Sequence, residues 1–408
     1  MARVLLAWEF GNGLGHVNRL LPVARKLRAA GHEPVFALRD LKAGRAVAAG
    51  SATDAPYPVV PAPHWPAPSD PKAREAPTRT LADVMRLFQY QRVDMLHASI
   101  DGWAGLLDLV RPALAIADFS PGLRLAQRVR PACPTVALGN GYLIPPGGML
   151  LPPIRPWETD VPEFSRRNES VLLDGANRAL AERGAPPIGH LADLFCGDET
   201  FVSSIPEFDP YAAYRPQPNL APFNVPRVDP PQSFAERPPG SVLVYLPPYH
   251  PLLATLRDAL ALVGVSADAF LREASENQRR ALASPHLRVH DAPLPLGSAL
   301  PRARAIVHHG GLATAYAALL AGTPQILMPQ NLEHLITSHG VHRFGCGVIL
   351  HGSKEDDAQR VATLLRQALG DPSVGTRAID VAGTLAARPV GDPVGAVAAA
   401  CLRLMGAV

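Results

Sequence analysis

The chain has 408 residues, 47% hydrophobic and 18% charged, with 39 Lys and Arg against 36 Asp and Glu and a formal net charge of +3. A balance so close to neutral, with no block of five or more like charges, excludes the basic footprint of a nucleic-acid binder, and no apolar run approaches the ~18 residues of a membrane span. A chain of this length divides into two or three domains, because single cores stop growing near ~250–300 residues.

The N-terminus enters a strand-like run almost at once, without the charged, apolar and cleavage regions of a secretory signal. Cys133, Cys196, Cys346 and Cys401 are scattered without CxxC spacing, which fits reduced thiols and predicts a cytoplasmic protein. The 44 prolines and the alanine and arginine bias point, on composition alone, to a GC-rich bacterial source.

In chain order, Val4 to Ala7 predict a strand, and Gly11, Gly13 and Gly15 a flexible turn. Val17 to Ala30 carry Val17, Leu20, Leu21, Ala24 and Leu27 at helical spacing before Gly31 stops the helix. His16 then stands where the first strand becomes the first helix. Further strands are expected at Val35 to Leu38, Leu114 to Ala117 and Thr135 to Leu138, and a helix from Leu81 to Leu109. Asp118 follows the apolar run PALAIA, at the carboxyl end of its strand, where a parallel sheet gathers functional groups. The plain alternatives are that His16 is a turn residue and that Asp118 caps the helix beginning near Pro121.

From Tyr214 to Gly240 the chain reads YRPQPNLAPFNVPRVDPPQSFAERPPG, too rich in proline for a helix or a central strand, so residues 214–240 are expected as an extended linker between domains 1–213 and 241–390. Beyond it, strands are expected at Val242 to Leu246, Leu287 to Val289, Ala305 to Val307 and Gln325 to Met328. The alternation with helices predicts an α/β class, with two doubly wound sheets whose carboxyl ends face one cleft. Within 391–408, a last helix from about Pro393 to Met405 is expected to pack back on the first domain.

Between Ala305 and Pro329 the sequence AIVHHGGLATAYAALLAGTPQILMP reads as strand, tight turn, helix and strand. Gly310 and Gly311 let the backbone approach a ligand closely. The unpaired N–H groups and positive dipole end of the following helix favour a phosphate, so this turn looks built for a diphosphate. Neither glycine turn has the GxGxxG spacing of a dinucleotide site, and there is no P-loop GK[ST].

Both turns resemble those of GT-B nucleotide-sugar glycosyltransferases, in the branch that serves bacterial natural products, sterols and plant secondary metabolites. GHVNR resembles the GHxxP element, with Arg19 in place of proline, and AIVHHGGLATAYAALLAGTPQ resembles the donor signature HHGGxGTxxxAxxAGxPQ. The resemblance covers both ends of the chain, and nothing aligns between about Ala43 and Asp108. It implies two Rossmann-like domains and transfer of a hexose-type sugar from a UDP- or dTDP-sugar to a hydroxyl of a small acceptor. It also implies a phosphate-contacting His309, with Gly310, Gly311 and Thr314 supplying amides and a hydroxyl. PQNLEH resembles P-x-x-x-[DE]-Q, which makes Glu333 and His334, the latter standing where glutamine is usual, the donor-sugar ligands; the plain alternative is a glutamate favoured by the helix dipole.

Sugar transfer needs a base for the acceptor proton and stabilisation of the departing diphosphate. His16 fits the first role, with Asp118 to orient the ring, and Gly13 and Gly15 support the turn that presents it. A positive helix end with histidine and hydroxyl donors neutralises a diphosphate without a cation, no DxD motif stands in a cleft loop, and no Cys/His spacing suits zinc, so no metal and no cofactor are expected. His334, His339 and His342 crowd one region at spacings more typical of surface histidines.

Several positions depart from the pattern. Ala317 stands where the plant branch has a ribose-binding glutamate, Ala313 where glycine or asparagine is common, and LPPYHP, with Tyr249 and His250, replaces the usual GS or GT turn. The segments Tyr57 to Pro71, Leu81 to Leu109 and Leu143 to Pro153 occupy acceptor-shaping regions. Their Trp65, Phe88, Tyr90, Met149, Leu150 and Leu151 suit an apolar acceptor, although such stripes also form core. The competing readings are a transferase acting on lipid-linked sugars at the membrane surface, an epimerase on the same fold, and a silent nucleotide-sugar-binding protein.

Overall fold

The structure, a computed structural model, describes residues 1–42, 44, 55–65, 77–223, 225–353 and 356–406. The chain divides into two compact units: unit 1 is Met1–Asn224 with Gly391–Val408, and unit 2 is Val225–Val390.

Unit 1 holds a six-stranded sheet in the order β3-β2-β1-β4-β5-β6, with every pairing parallel. The strands are β1 (Arg3–Trp8), β2 (Glu33–Leu38), β3 (Val59–Pro61), β4 (Leu114–Asp118), β5 (Thr135–Gly139) and β6 (Glu199–Val202). Around them run α1 (Gly15–Ala29), α2 (Leu81–Leu87), α3 (Val93–Val110), α4 (Pro121–Val129) and α5 (Glu163–Ala181). β1 and β4 are buried along nearly their whole length, as expected of central strands covered on both faces. One face of α1 sends Val17, Leu20, Val23, Ala24 and Leu27 into a core with Leu6, Phe36, Ile116 and Val136.

Unit 2 holds a second parallel sheet, in the order β12-β11-β10-β7-β8-β9. Its strands are β7 (Val242–Leu246), β8 (Ala267–Leu271), β9 (Leu287–His290), β10 (Ala305–His308), β11 (Gln325–Leu327) and β12 (Gly347–Ile349). The helices are α6 (Leu253–Val263), α7 (Glu276–Leu282), α8 (Leu296–Ala299), α9 (Leu312–Leu320), α10 (Leu332–Arg343), α11 (Ala358–Gly370) and α12 (Pro372–Ala386). Counted from its own first strand, this sheet repeats the order of the first, so both are doubly wound. Each order reverses once, between β1 and β4 in unit 1 and between β7 and β10 in unit 2, and ligands of such sheets bind at the carboxyl ends of those strands.

The last helix, α13 (Pro393–Gly406), packs on α1, with Val397 and Cys401 fully buried in the core of unit 1. No helix among the described residues is long and apolar enough to cross a membrane.

The structure corrects some expected elements. Leu81 to Leu109 is two helices rather than one: Gln89 takes a left-handed φ of 55°, and the chain reverses to bury Tyr90 against Phe10 and Trp65. A donor bond from Trp65 Nε1 to Phe88 O (2.6 Å) fixes that break. Residues 214–240 are not extended throughout. Phe223 enters the core of unit 1, while Phe234 opens a short 3₁₀ turn in unit 2 and Arg237 is fully buried, donating to Gln232 O, Ala303 O and Ala321 O.

Candidate functional site

In unit 1 the site is built at the carboxyl ends of the two strands that flank the reversal. β1 ends at Trp8, directly opposite Asp118 at the end of β4. Gly11 and Gly13, with φ of 87° and 90°, turn the chain into α1, whose second residue is His16. Gly15 is already helical and takes no left-handed conformation, so the turn rests on Gly11 and Gly13. A Cβ at Gly11 would lie 2.6 Å from His16 Nε2, so only glycine there leaves that nitrogen its space.

His16 Nδ1 lies 2.8 Å from Asp118 Oδ1, and the Trp8 indole stacks on the imidazole with centroids 4.8 Å apart and planes 14° from parallel. Asp118 is fully buried. Burial works to raise its carboxyl, but the charges and hydrogen bonds of Arg19 and His16 more than offset that and hold it below the usual carboxylate value. Ionised, the carboxylate can only accept, so His16 Nδ1 donates to it, and in the neutral ring Nε2 is the nitrogen that holds the lone pair. Asp118 is not a helix cap: the residue before α4 is Ser120, and Asp118 turns back to His16. Arg19 donates from Nε to Asp118 Oδ2 (3.0 Å) and from Nη2 to Oδ1 (3.4 Å), using the departure from the GHxxP pattern to brace the carboxylate.

Sequence reasoning did not single out Glu9. Its carboxylate, 1% exposed, accepts from Ser99 Oγ (3.1 Å) and from the amide of Gly122 (2.8 Å) in the first turn of α4, and burial pushes its carboxyl up to about 7. Phe10 N donates to Phe119 O (3.1 Å), so the loops after β1 and β4 are tied twice. Phe119 holds a left-handed φ of 49°, which turns the chain immediately after Asp118.

In unit 2 the equivalent position follows β10. His308 is the last residue of that strand, fully buried; its Nδ1 accepts from Gly310 N (3.1 Å), which leaves Nε2–H to donate to Gln325 Oε1 (2.9 Å). Burial pushes it down to about 3, so it is neutral. Gly310, at φ 87°, admits no side chain: a Cβ there would lie 2.7 Å from His334 O and 2.6 Å from Ser338 Oγ. Gly311 stands at the N-cap of α9 without a capping side chain, and Thr314 is the third residue of that helix. His309 Nε2 lies over this turn, 3.0 Å from where a Gly311 Cβ would be. A histidine nitrogen thus lies over an uncapped helix start, where an anion is favoured, with Thr314 in the first turn of that helix.

Glu333 and His334 are the second and third residues of α10, where Asn331 caps the His334 amide (2.9 Å). The rings of His334 and His309 meet with centroids 4.4 Å apart. His250, from the LPPYHP turn after β7, is buried and donates from Nε2 to Met328 O (2.9 Å), whereas Tyr249 beside it is 73% exposed. Ala317 is fully buried among Leu243, Ile306 and Ala303, so its side chain faces the core. Of the expected acceptor-facing residues, Trp65, Tyr90 and Leu151 are buried and Leu150 is exposed; residues 66–71 of that prediction lie outside the described residues. Among the described residues no group of three or more His, Cys, Asp or Glu side chains is placed to hold a metal ion.

Residues 260–401 match the family model described as erythromycin biosynthesis protein CIII-like, C-terminal domain. The elloramycin glycosyltransferase of Streptomyces olivaceus is 37% identical over 105 residues, 26% of this chain and 25% of that relative, so the alignment spans about a quarter of its length. The L-demethylnoviosyl transferase of Streptomyces niveus is 26% identical over 376 residues and 88% of each chain. Among solved structures, the glycosyltransferase VinC in complex with dTDP superposes with a TM-score of 0.63 at 19% identity, over 100% of both chains. The chain thus has the GT-B fold, its residues 260–401 are similar to the erythromycin biosynthesis protein CIII-like C-terminal domain, and the relatives it matches are named as glycosyl transferases.

Proposed function

We propose that the protein is an inverting glycosyltransferase that moves a hexose-type sugar from a dTDP- or UDP-sugar to a hydroxyl of a small acceptor, without a metal ion. The observation that carries this reading is the buried Trp8–His16–Asp118–Arg19 arrangement, which fixes the tautomer of His16 and directs its lone pair from Nε2. His16 Nε2 takes the acceptor proton as the acceptor oxygen attacks the anomeric carbon. The bond from that carbon to the diphosphate oxygen breaks on the opposite face, and the configuration inverts.

The departing diphosphate is received by His309, the amides at the start of α9 and the Thr314 hydroxyl, a set of donors that supplies electrostatic stabilisation where negative charge develops. Glu333 is assigned to the sugar hydroxyls. Nucleotide choice is left open by Ala317, whose buried methyl offers a ribose no acceptor; the VinC complex makes dTDP the first ligand to try. The apolar acceptor suggested by Leu150 and its neighbours is part of the same proposal.

The test is His16→Ala. Sugar transfer should fall by at least ~10²-fold, as expected for loss of a general base, while calorimetric binding of dTDP or UDP in EDTA stays within a few-fold of wild type. Near-wild-type turnover in that variant would sink the assignment. Nucleotide binding with no turnover in the wild type, against any acceptor, would favour the silent binding protein.

A further inference from the structure

The four histidines around the β10–α9 turn are not equivalent. His308 uses both ring nitrogens, and so does His250, whose Nδ1 accepts from Leu252 N (3.2 Å) while Nε2 donates to Met328 O. Those bonds fix both as neutral rings with set tautomers. His309 and His334 differ: each has a buried Nδ1 with no hydrogen-bond partner, and the two rings lie against one another. Two adjoining imidazoles with unused nitrogens, beside an uncapped helix start, are poised to change protonation state when charge arrives.

We propose that His334 joins His309 at the diphosphate subsite, and that the pair is neutral in the empty site and takes up a proton when a diphosphate binds. This rests on the diphosphate reading of unit 2 given above, and it moves His334 from the sugar to the phosphates. Burial pushes His334 down to about 3 and His309 to about 4 in the empty site, with the Arg272 cation adding to the effect on His309. The groups that face the pair are His250 from the loop after β7, Arg272 just past the end of β8 and His308 from β10. Unlike-charged groups at contact distance in a partly dry site shift a titration by several pH units, and a nucleoside diphosphate sugar brings two negative charges. A glutamine at position 334, as in the PxxxDQ pattern, has no such response. The imidazolium would then exist only while the diphosphate is present, and release of the nucleotide would return the proton to solvent.

The experiment is titration calorimetry of the full chain with dTDP-glucose and UDP-glucose, whose phosphates do not titrate near neutrality, in several buffers of different ionisation enthalpy at pH 7.5. The dependence of the observed heat on buffer gives the protons exchanged. Expected is uptake of about half to one proton per site and an affinity that weakens by up to about tenfold per pH unit at higher pH. Binding whose heat shows no buffer dependence overturns the proposal and leaves the diphosphate site standing. No binding of either nucleotide sugar defeats the diphosphate reading itself.

Assignment to His334 comes from the Cε1–H signals of ¹³C-histidine-labelled protein. The signal missing in His334→Gln should move to the imidazolium position when wild-type protein is saturated, and the other histidine signals of that variant report that it is folded. A His334 signal that stays at its neutral position when the ligand is bound overturns its role.

Discussion

Glu9 carries a buried carboxyl whose protonation should be visible in the pH dependence of stability. Its value rises from an ordinary 4.5 to about 7 in the fold, chiefly through burial. The native state therefore holds the proton more tightly than the unfolded chain, so the contribution of Glu9 is complete below the ordinary value and is lost as pH rises through 7. The loss amounts to about 3 kcal/mol. Urea unfolding at pH 5 and pH 8 should show this decline in the wild type and a flatter profile in Glu9→Gln; an equal decline in both would remove Glu9 as its source. At Asp118 the balance runs the other way. Two donors outweigh the same burial, and the carboxylate stays ionised where His16 needs it.

Between elements, the loops after β1 and β4 are joined by a glycine that nothing in the sequence marks. A Cβ at Gly122 would collide with Ser99 Oγ and Glu9 Oε1. Gly122→Ala should cost about 1–3 kcal/mol by overpacking. Part of that cost should return in the double variant with Ser99→Ala, measured as coupling in a double-mutant cycle. Additive effects would mean that the methyl is accommodated elsewhere. His16, Asp118, His309 and the glycine turn were legible because short apolar runs ending in polar residues betray the carboxyl ends of parallel strands. Glu9 was not, and Arg19 and His250 stood out only as departures from a pattern without a role, because each acts through partners distant in sequence, as in the Arg19–Asp118 and His250–Met328 contacts. The interior strand β8 was missed because its ADAFL carries two alanines and an aspartate rather than a β-branched run, and β3, β6 and β12 for a different reason. They are three- or four-residue edge strands, one with a proline, whose pattern is too short to carry a period. The false single helix from Leu81 to Leu109 had the right spacing throughout; what broke it was the burial of Tyr90, a tertiary demand that periodicity does not register.

For the whole molecule, the same sheet order appears twice along the chain, and each copy puts a candidate histidine after a strand flanking the reversal: His16 after β1, His309 after β10. The copies are not closed in the same way. Unit 2 is a continuous stretch, whereas unit 1 is completed only by residues that follow unit 2 in sequence, since α13 supplies Val397 and Cys401 to the core containing Val17, Leu20 and Trp8. Stability of the unit that carries His16 and Asp118 therefore depends on a segment that follows the whole of unit 2 in sequence. Val397→Asp places an unpaired charge in that core and should cost several kcal/mol, a large share of the ~5–15 kcal/mol that holds a domain folded. Leu402→Asp, on the 39% exposed face of the same helix, should change stability by less than about 0.5 kcal/mol. Thermal unfolding followed by circular dichroism separates the two: a lower melting temperature for Val397→Asp alone places α13 in the folding unit that holds His16, and equal behaviour of both variants would show that the helix merely rests on it.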